Sequence, residues 1–228
     1  MSIDVLLQLR DSLLETLYMV AAAWLIGGAI GVPLGVFLAT SGKGELFAAP
    51  RLNALLNLVV NATGSTPFII LVVALIPVTR FIVGTSIGTS AAIVPLTVAG
   101  APFIARTVEA AIREVDHGLI EASAAMGATP GQIVRKVLLP EALSGITLGL
   151  TLIAVTLIAY SAMVGAVGGG GLGDLGIRYG YQRFRVDVMA LVIVVLIALV
   201  QGVQMAGASI ARRVNKRLRP PSSAATHK

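Results

Sequence analysis

The feature that most constrains this chain is a set of five long stretches without a single charged side chain. They run Thr16–Gly42, Leu52–Thr79, Phe81–Ala105, Ala142–Gly173 and Val188–Ala211. A hydrocarbon core of about 30 Å is crossed by about 20 apolar residues in a helix, because every backbone N–H and C=O must then be satisfied within the segment. Each stretch suffices for one crossing. The second and third are separated only by Arg80, and as one helix they would reach about 80 Å, so the chain must break between them. Pro77, Gly84 and Pro95 supply that break, with Gly84-Thr85-Ser86 as the expected turn. The expectation is an all-α integral membrane protein with five transmembrane helices at about 16–42, 54–79, 84–106, 141–167 and 187–211. They form a single membrane domain over 1–219, followed by a disordered tail at 220–228.

Charge then sets orientation and removes whole classes of function. Charged residues make up 12% of the chain, about half the share in globular proteins. The net charge of +6 is not a nucleic-acid signature, since the basic residues punctuate apolar runs instead of clustering on a polar face. With five spans the termini lie on opposite sides. Five basic residues (Arg10, Arg80, Arg178, Arg183, Arg185) share the side of the N-terminus, and the other twelve lie opposite, so the N-terminus is expected outside and the C-terminus in the cytoplasm. The acidic start (Asp4, Asp11, Glu15) and the length of the first run argue against a cleaved signal peptide. Cysteine is absent, which removes disulfides and thiolate chemistry.

No ionisable residue sits near the middle of a span, which argues against a proton-coupled carrier or an intramembrane protease. Ser41-Gly42-Lys43-Gly44 reads as a basic turn, not a phosphate loop. Gly168-x-Gly170-x-x-Gly173 has the letters of a dinucleotide fingerprint but follows a membrane span instead of a strand. No catalytic residue, cofactor or metal site is therefore expected on this chain. Energy for any uphill transport must come from a partner. A self-sufficient channel, an ion-coupled carrier and a structural scaffold remain as rival classes.

The loop over 113–140 is the most informative segment. Asp116-His117-Gly118 breaks the chain, and Leu119 to Met126 reads as a short helix with Ala122, Ala125 and Met126 on one face. Gly127 suits the left-handed position after its end. Thr129, Pro130 and Gln132 form a capping box for a second helix. Its stripe of Ile133, Val134, Val137 and Leu138 opposes Arg135 and Lys136, as in a helix lying on the membrane surface before Pro140 and Glu141 open span four. From these residues alone, a docking site and an anchoring hairpin are equally open readings.

Glu121-Ala122-Ser123-Ala124-Ala125-Met126-Gly127, nine residues, then Val137-Leu138-Leu139-Pro140 closely resembles the EAA loop of ABC-importer permeases: Glu-Ala-Ala, three residues, Gly, nine residues, Ile-x-Leu-Pro. Ser123 and Val137 are the two departures. The resemblance implies a type I importer permease bundle whose cytoplasmic coupling helix docks on a separate ATPase. Glu121, Ala122, Ser123, Met126, Gly127 and Ala128 would face the ATPase, framed by Pro130 and Pro140. Ser65-Thr66-Pro67-Phe68-Ile69-Ile70, Ile82-Val83-Gly84-Thr85-Ser86-Ile87-Gly88, Pro102-Phe103-Ile104-Ala105-Arg106, Tyr160-Ser161-Ala162-Met163 and Tyr179-Gly180-Tyr181 are similar to the methionine-importer permeases, with Gly64 standing where that family is expected to have a basic residue. Membership would imply a homodimer in the bacterial inner membrane, two cytoplasmic ATPases carrying ATP and Mg, a periplasmic methionine-binding lipoprotein, and methionine, D or L, as solute. A permease for another amino acid is the alternative.

Polar residues within the spans offer a passage. Thr156, Tyr160, Met163 and Val167 share one face of span four, and a flexible thioether at Met163 suits a gate. Asn57, Asn61 and Ser65 recur at fourfold spacing in span two and should meet protein or water, not lipid. Simple packing of Tyr160 and Met163 against a neighbouring span is the other open reading. Gly27, Gly31 and Gly35 in span one form a small-residue stripe expected to serve close helix packing.

Overall fold

The structure is a computed structural model that describes residues 3–214; the tail expected at 220–228 lies outside the described residues. Among the described residues the regular structure is entirely helical. Helix α1 (Ile3–Thr40) is followed by α2 (Pro50–Gly64), α3 (Phe68–Ala74), α4 (Ile76–Val83) and α5 (Thr89–Arg113). After these come α6 (His117–Ala125), α7 (Pro130–Ile133), α8 (Leu139–Val164), α9 (Gly171–Leu175) and α10 (Val186–Val214). Helices α1, α5, the continuous run from α7 through α8, and α10 are each long and apolar enough to cross a membrane. The bent pair α2–α3 supplies the fifth candidate.

That bent pair is where the structure departs most from the sequence reading. The apolar run 54–79 is not one straight crossing: α2 and α3 meet at 103° across Ser65-Thr66-Pro67. Pro67 has no N–H to continue the helix and biases Thr66 away from the helical region. The carbonyls of the last turn of α2 are not left bare: Thr66 N–H shifts to Thr63 O (3.3 Å), Thr66 Oγ1 takes over Ala62 O (3.0 Å), and Ser65 Oγ adds a second bond to Asn61 O (2.8 Å). Side-chain compensation of this kind is what a broken helix at membrane depth requires. The break expected later is also present, with Gly84 left-handed at φ 84° closing α4. Pro77 lies in the first turn of α4, where its missing N–H costs nothing, and Pro95 stays inside α5.

Lipid offers no hydrophobic drive for one helix to seek another, so close approach over small residues has to hold the bundle. The glycine stripe of α1 supplies it. A Cβ on Gly31 would fall 2.6 Å from Ala101 O and 2.8 Å from Ile104, and one on Gly35 would strike the Ala105 carbonyl and Val108. Around this contact lie Met19, Leu38, Leu96, Ile104 and Val108, all fully buried. Trp24 Nε1 donates to Leu150 O at 3.0 Å, tying α1 to α8. Gly149 of α8 packs directly on Thr107 of α5, and Gly207 of α10 on Thr151 of α8.

Helix α1 starts well before its charge-free stretch. At 38 residues it spans about 57 Å, nearly twice a hydrocarbon core. Its extra turns have a partner: Val5, Leu9 and Leu13 pack on Leu172, Leu175 and Val188. There Gly168 (φ 93°), Gly170 (78°) and Gly171 (77°) reverse the chain after α8, so the dinucleotide-like letters are a turn. Glu15 Oε2 accepts the Gly171 N–H at 2.7 Å and Thr16 Oγ1 accepts that of Leu172 at 2.9 Å, so α1 satisfies the first donors of α9.

Gly31→Val should destabilise the protein by at least the ~1–3 kcal/mol typical of overpacking, since the atom met is backbone. Gly28→Ala, where a Cβ meets nothing within 4 Å, should not. Thermal melting of the two purified variants in detergent, followed by Trp24 fluorescence, checks this.

Candidate functional site

Two regions gather the residues singled out from sequence, and the first is the protrusion built by α6 and α7. Helix α5 ends at Arg113, and buried Val115 pins the chain where it turns. Asp116 Oδ1 accepts the Gly118 N–H at 2.8 Å and caps α6. The inner side of α6 is fixed by half-buried Ile120, packed on the core, and by Ser123, which is buried and donates to Leu119 O at 2.6 Å. Its outer side presents Glu121, Ala122, Ala124 and Ala125, all exposed, and ends on Met126, 82% exposed. Gly127 at φ 81° terminates the helix: its N–H bonds Ala124 O (2.9 Å) and that of Ala128 bonds Ser123 O (3.1 Å), the 5→2 and 6→1 pair of a Schellman motif.

The second half of the loop follows without slack. Thr129 N–H donates to Gln132 Oε1 at 2.9 Å in the expected capping box. Ile133 and Leu138 are buried, while Arg135 and Lys136 are exposed. The expected surface helix, however, does not stop at Pro140. It widens into π-helical turns over Val134–Leu138 and runs straight on into α8. Leu139 N–H reaches back five residues to Val134 O, one residue before Pro140. A local change of hydrogen-bond register of this kind lets a helix continue past a residue that donates nothing.

Glu121, Ala122, Met126, Gly127 and Pro130 therefore lie exposed on one protrusion. Ser123, expected on its docking face, is instead buried on the inner side of α6, three positions after Ile120, and its hydroxyl bonds Leu119 O of its own helix. Ala128 is half-buried against the core, and exposed Pro140 stands further along, in the first turn of α8. An exposed methionine beside three alanines is an apolar surface in water that a partner would cover.

Beneath the protrusion lies a charged cluster the sequence reading missed. Glu109 is 7% exposed and is held by Arg106 and, at 2.9 Å, by Arg113. Arg106 Nη2 also donates to Asn61 Oδ1 at 2.7 Å, joining α5 to α2. Asn57 Nδ2 donates to Asn53 Oδ1 (2.7 Å), and Asn53 Nδ2 to Leu38 O and Ser41 Oγ (both 2.9 Å), joining α2 to the end of α1. The asparagines of α2 thus meet protein, as expected. The signal for Glu109 was its i, i+3 and i+4 spacing from two arginines.

The second region is the expected passage, which the structure divides. Tyr160 stacks on Phe68 of α3, ring centroids 4.1 Å apart and 5° from parallel, just past the bend. Met163 follows on α8 and is about half exposed, whereas Val167, expected on the same face, lies beyond the end of α8 where the backbone is no longer helical (φ −107°, ψ 20°). Thr156 donates its hydroxyl to Leu152 O (3.0 Å) and Ser65 to Asn61 O, so both protons are engaged in their own helices. Asn61 is held by Arg106 on α5 and lies apart from the Tyr160 face. The bend at Ser65–Pro67 is what links the two clusters.

Removing Glu109 leaves two guanidinium groups facing one another. Glu109→Ala, which removes two charged hydrogen-bond partners but leaves arginines that are 33% and 54% exposed, should cost about 1.5–3 kcal/mol, whereas Arg113→Ala should cost under about 1 kcal/mol. Melting temperatures of the two variants distinguish these outcomes.

Comparison with known proteins gives consistent likenesses. Residues 31–220 match the family described as "Binding-protein-dependent transport system inner membrane component". The chain is 56% identical over 203 residues to the probable D-methionine transport system permease protein MetI of Vibrio cholerae, covering 89% of this chain and 90% of that one. It is also 56% identical over 151 residues to the D-methionine transport system permease protein MetI of Escherichia coli K12, covering 66% and 70%. Among solved structures it resembles a chain of the inward-facing MetNI methionine ABC transporter, with a TM-score of 0.92, 52% identity and coverage of 95% and 100%. An amino acid ABC transporter structure, 19% identical with a TM-score of 0.77, shares the fold.

Proposed function

Because this chain belongs to the family of binding-protein-dependent transport system inner-membrane components, we propose that it is the membrane-spanning subunit of an ATP-driven importer of methionine. Two copies would form the passage, two cytoplasmic ATPases would bind ATP and Mg and supply the energy, and a periplasmic binding protein would deliver D- or L-methionine. Support for the solute comes from the two permease relatives, both described as D-methionine transport proteins. This subunit performs no chemistry of its own. The N-terminus lies outside and the C-terminus in the cytoplasm, a reading supported by the basic residues gathered on the side of the α6 loop.

The observation that carries this reading is the outward face of α6. A capped, rigidly terminated helix presents Ala122, Ala125 and Met126 to solvent, while Ile120 and Ser123 fix it to the bundle. An ATPase seated there moves α6 as a body. Ala128, packed on the core, and the unbroken run from α7 into α8 pass the motion to the membrane without a flexible joint. At the far end of α8, Tyr160 on Phe68 closes the inward side of the face that Met163 continues. Parting that stack while the ATPases close would alternate access between the two sides. A thioether side chain suits a passage bounded by aromatic and methionine side chains.

Met126→Glu places a charge on the exposed apolar surface and should abolish co-elution with the ATPase while leaving permease yield unchanged. Gly127→Val, at a backbone angle costing about 1–2 kcal/mol for a side chain, should lower ATP-dependent methionine uptake in proteoliposomes at least tenfold. Normal uptake and normal assembly in both variants would sink the docking assignment. Competition by unlabelled amino acids in the same assay separates methionine from other solutes. Tyr160→Ala should change uptake without changing ATPase binding, measured on the same preparations.

A further inference from the structure

Where the last turn of α1, the loop after it, the end of α5 and α6 come together, the protein encloses a cavity of about 200 Å³, room for about seven waters. Its floor is apolar, formed by Leu46, Ile112, Ile120 and Leu138, and charge is confined to its rim, at Glu45, Arg113 and His117. The walls are built, not fluid: Phe47 N–H donates to Thr40 O (2.9 Å) and Ala49 N–H to Ser41 O (3.0 Å), folding the loop back on α1.

The rim charges are not matched to one another. Arg113 and Arg106 share the single carboxylate of Glu109, so that cluster keeps one positive charge in excess, and Arg113 brings it to the cavity. Neither the Glu45 carboxylate nor the His117 ring has a hydrogen-bond or ion-pair partner among the described residues. A cavity with a cation and an imidazole on its rim, an unpaired carboxylate beside them and an apolar floor is complementary to a small zwitterion carrying an apolar tail.

We propose that this cavity binds a free α-amino acid with an apolar side chain, its carboxylate against Arg113 and His117, its ammonium against Glu45 and its side chain over Leu46, Ile112, Ile120 and Leu138. The site lies on the α6 side of the protein, apart from the passage. It rests on the proposed function only for the choice of methionine as first probe. An occupant would bridge the α1 loop and the base of α6, and so would restrain the element that the ATPase moves.

The test is equilibrium binding of L-methionine and L-norleucine to the complete permease–ATPase complex in nanodiscs. Two variants isolate the cavity: Glu45→Gln removes the partner of the ammonium, and Leu46→Trp fills the space. Glu45→Gln should weaken binding about tenfold, the loss of one charge-assisted hydrogen bond, and Leu46→Trp should remove one bound ligand per permease protomer. Methioninol, without the carboxylate, and 4-methylthiobutanoate, without the ammonium, should not compete. Isotherms of both variants that superimpose on the parent overturn the proposal; if Leu46→Trp fails to assemble, Glu45→Gln alone decides it. Phosphatidylethanolamine carries the same pair of charges, so nanodiscs with and without it should bind equally, and loss of binding in its presence would assign the cavity to lipid and overturn the proposal. Uptake is measured separately. Failed methionine uptake with norleucine binding lost in Leu46→Trp leaves the cavity standing and removes the substrate reading, and intact uptake with unchanged isotherms does the reverse.

Discussion

The contact between α1 and α5 over Gly31 and Gly35 is the constraint on which the other helices depend. In a bilayer the tails around a helix are as apolar as its neighbours, so a bundle is held by close packing and polar bonds instead of by release of water. Here the backbones approach until a single methyl group would collide with a carbonyl. That approach fixes α5 at the centre of the molecule. Helix α8 then packs on it through Gly149, and α10 on α8 through Gly207. Each interface uses the same device, a missing side chain on one helix facing a threonine side chain or a carbonyl on the next.

With α5 fixed, its C-terminal turns can serve as a platform. Glu109 is buried there between Arg106 and Arg113, and Arg106 also holds the asparagine edge of α2. A buried carboxylate with two guanidinium partners is costly to disturb, so the base of the α6 protrusion is rigid while its outer surface stays free. That combination fits an element through which a partner transmits force. Just past the Asn61 contact, at the end of α2, the chain bends by 103°, and the aromatic stack of Phe68 on Tyr160 sits directly beyond the bend. The charged platform and the expected gate are therefore joined through the α2–α3 bend, Asn61 on one side of it and Phe68 on the other.

Legibility in the sequence varied by type of signal. Capping residues were read correctly: Thr129 with Gln132, and the left-handed Gly127, act through neighbours a few positions away. The turn at Gly84 was likewise visible. The bend at Ser65–Pro67 was not, because apolar composition runs unbroken through it and the Ser65 and Thr66 hydroxyls bond carbonyls of the last turn of α2. Pro140 misled in the opposite sense, since a shift in hydrogen-bond register at Val134 absorbed it. The outward or inward direction of Ser123 could not be read either, as alanine and serine carry equal weight in an apolar pattern.

Five charge-free stretches, the bias of basic residues to one side and the spacing from Glu121 to Pro140 were enough to determine a helical membrane protein, its expected orientation and its resemblance to importer permeases. These follow from local rules: helix length against bilayer thickness, and side-chain identity at short spacing. The tertiary structure decided what those rules cannot reach. It brought Glu15 against Gly171 and Asn61 against Arg106, set Phe68 on Tyr160, and left Glu45 and His117 facing one cavity with Arg113. These pairings join residues that are distant in sequence, and only the packing of one helix on another sets their geometry.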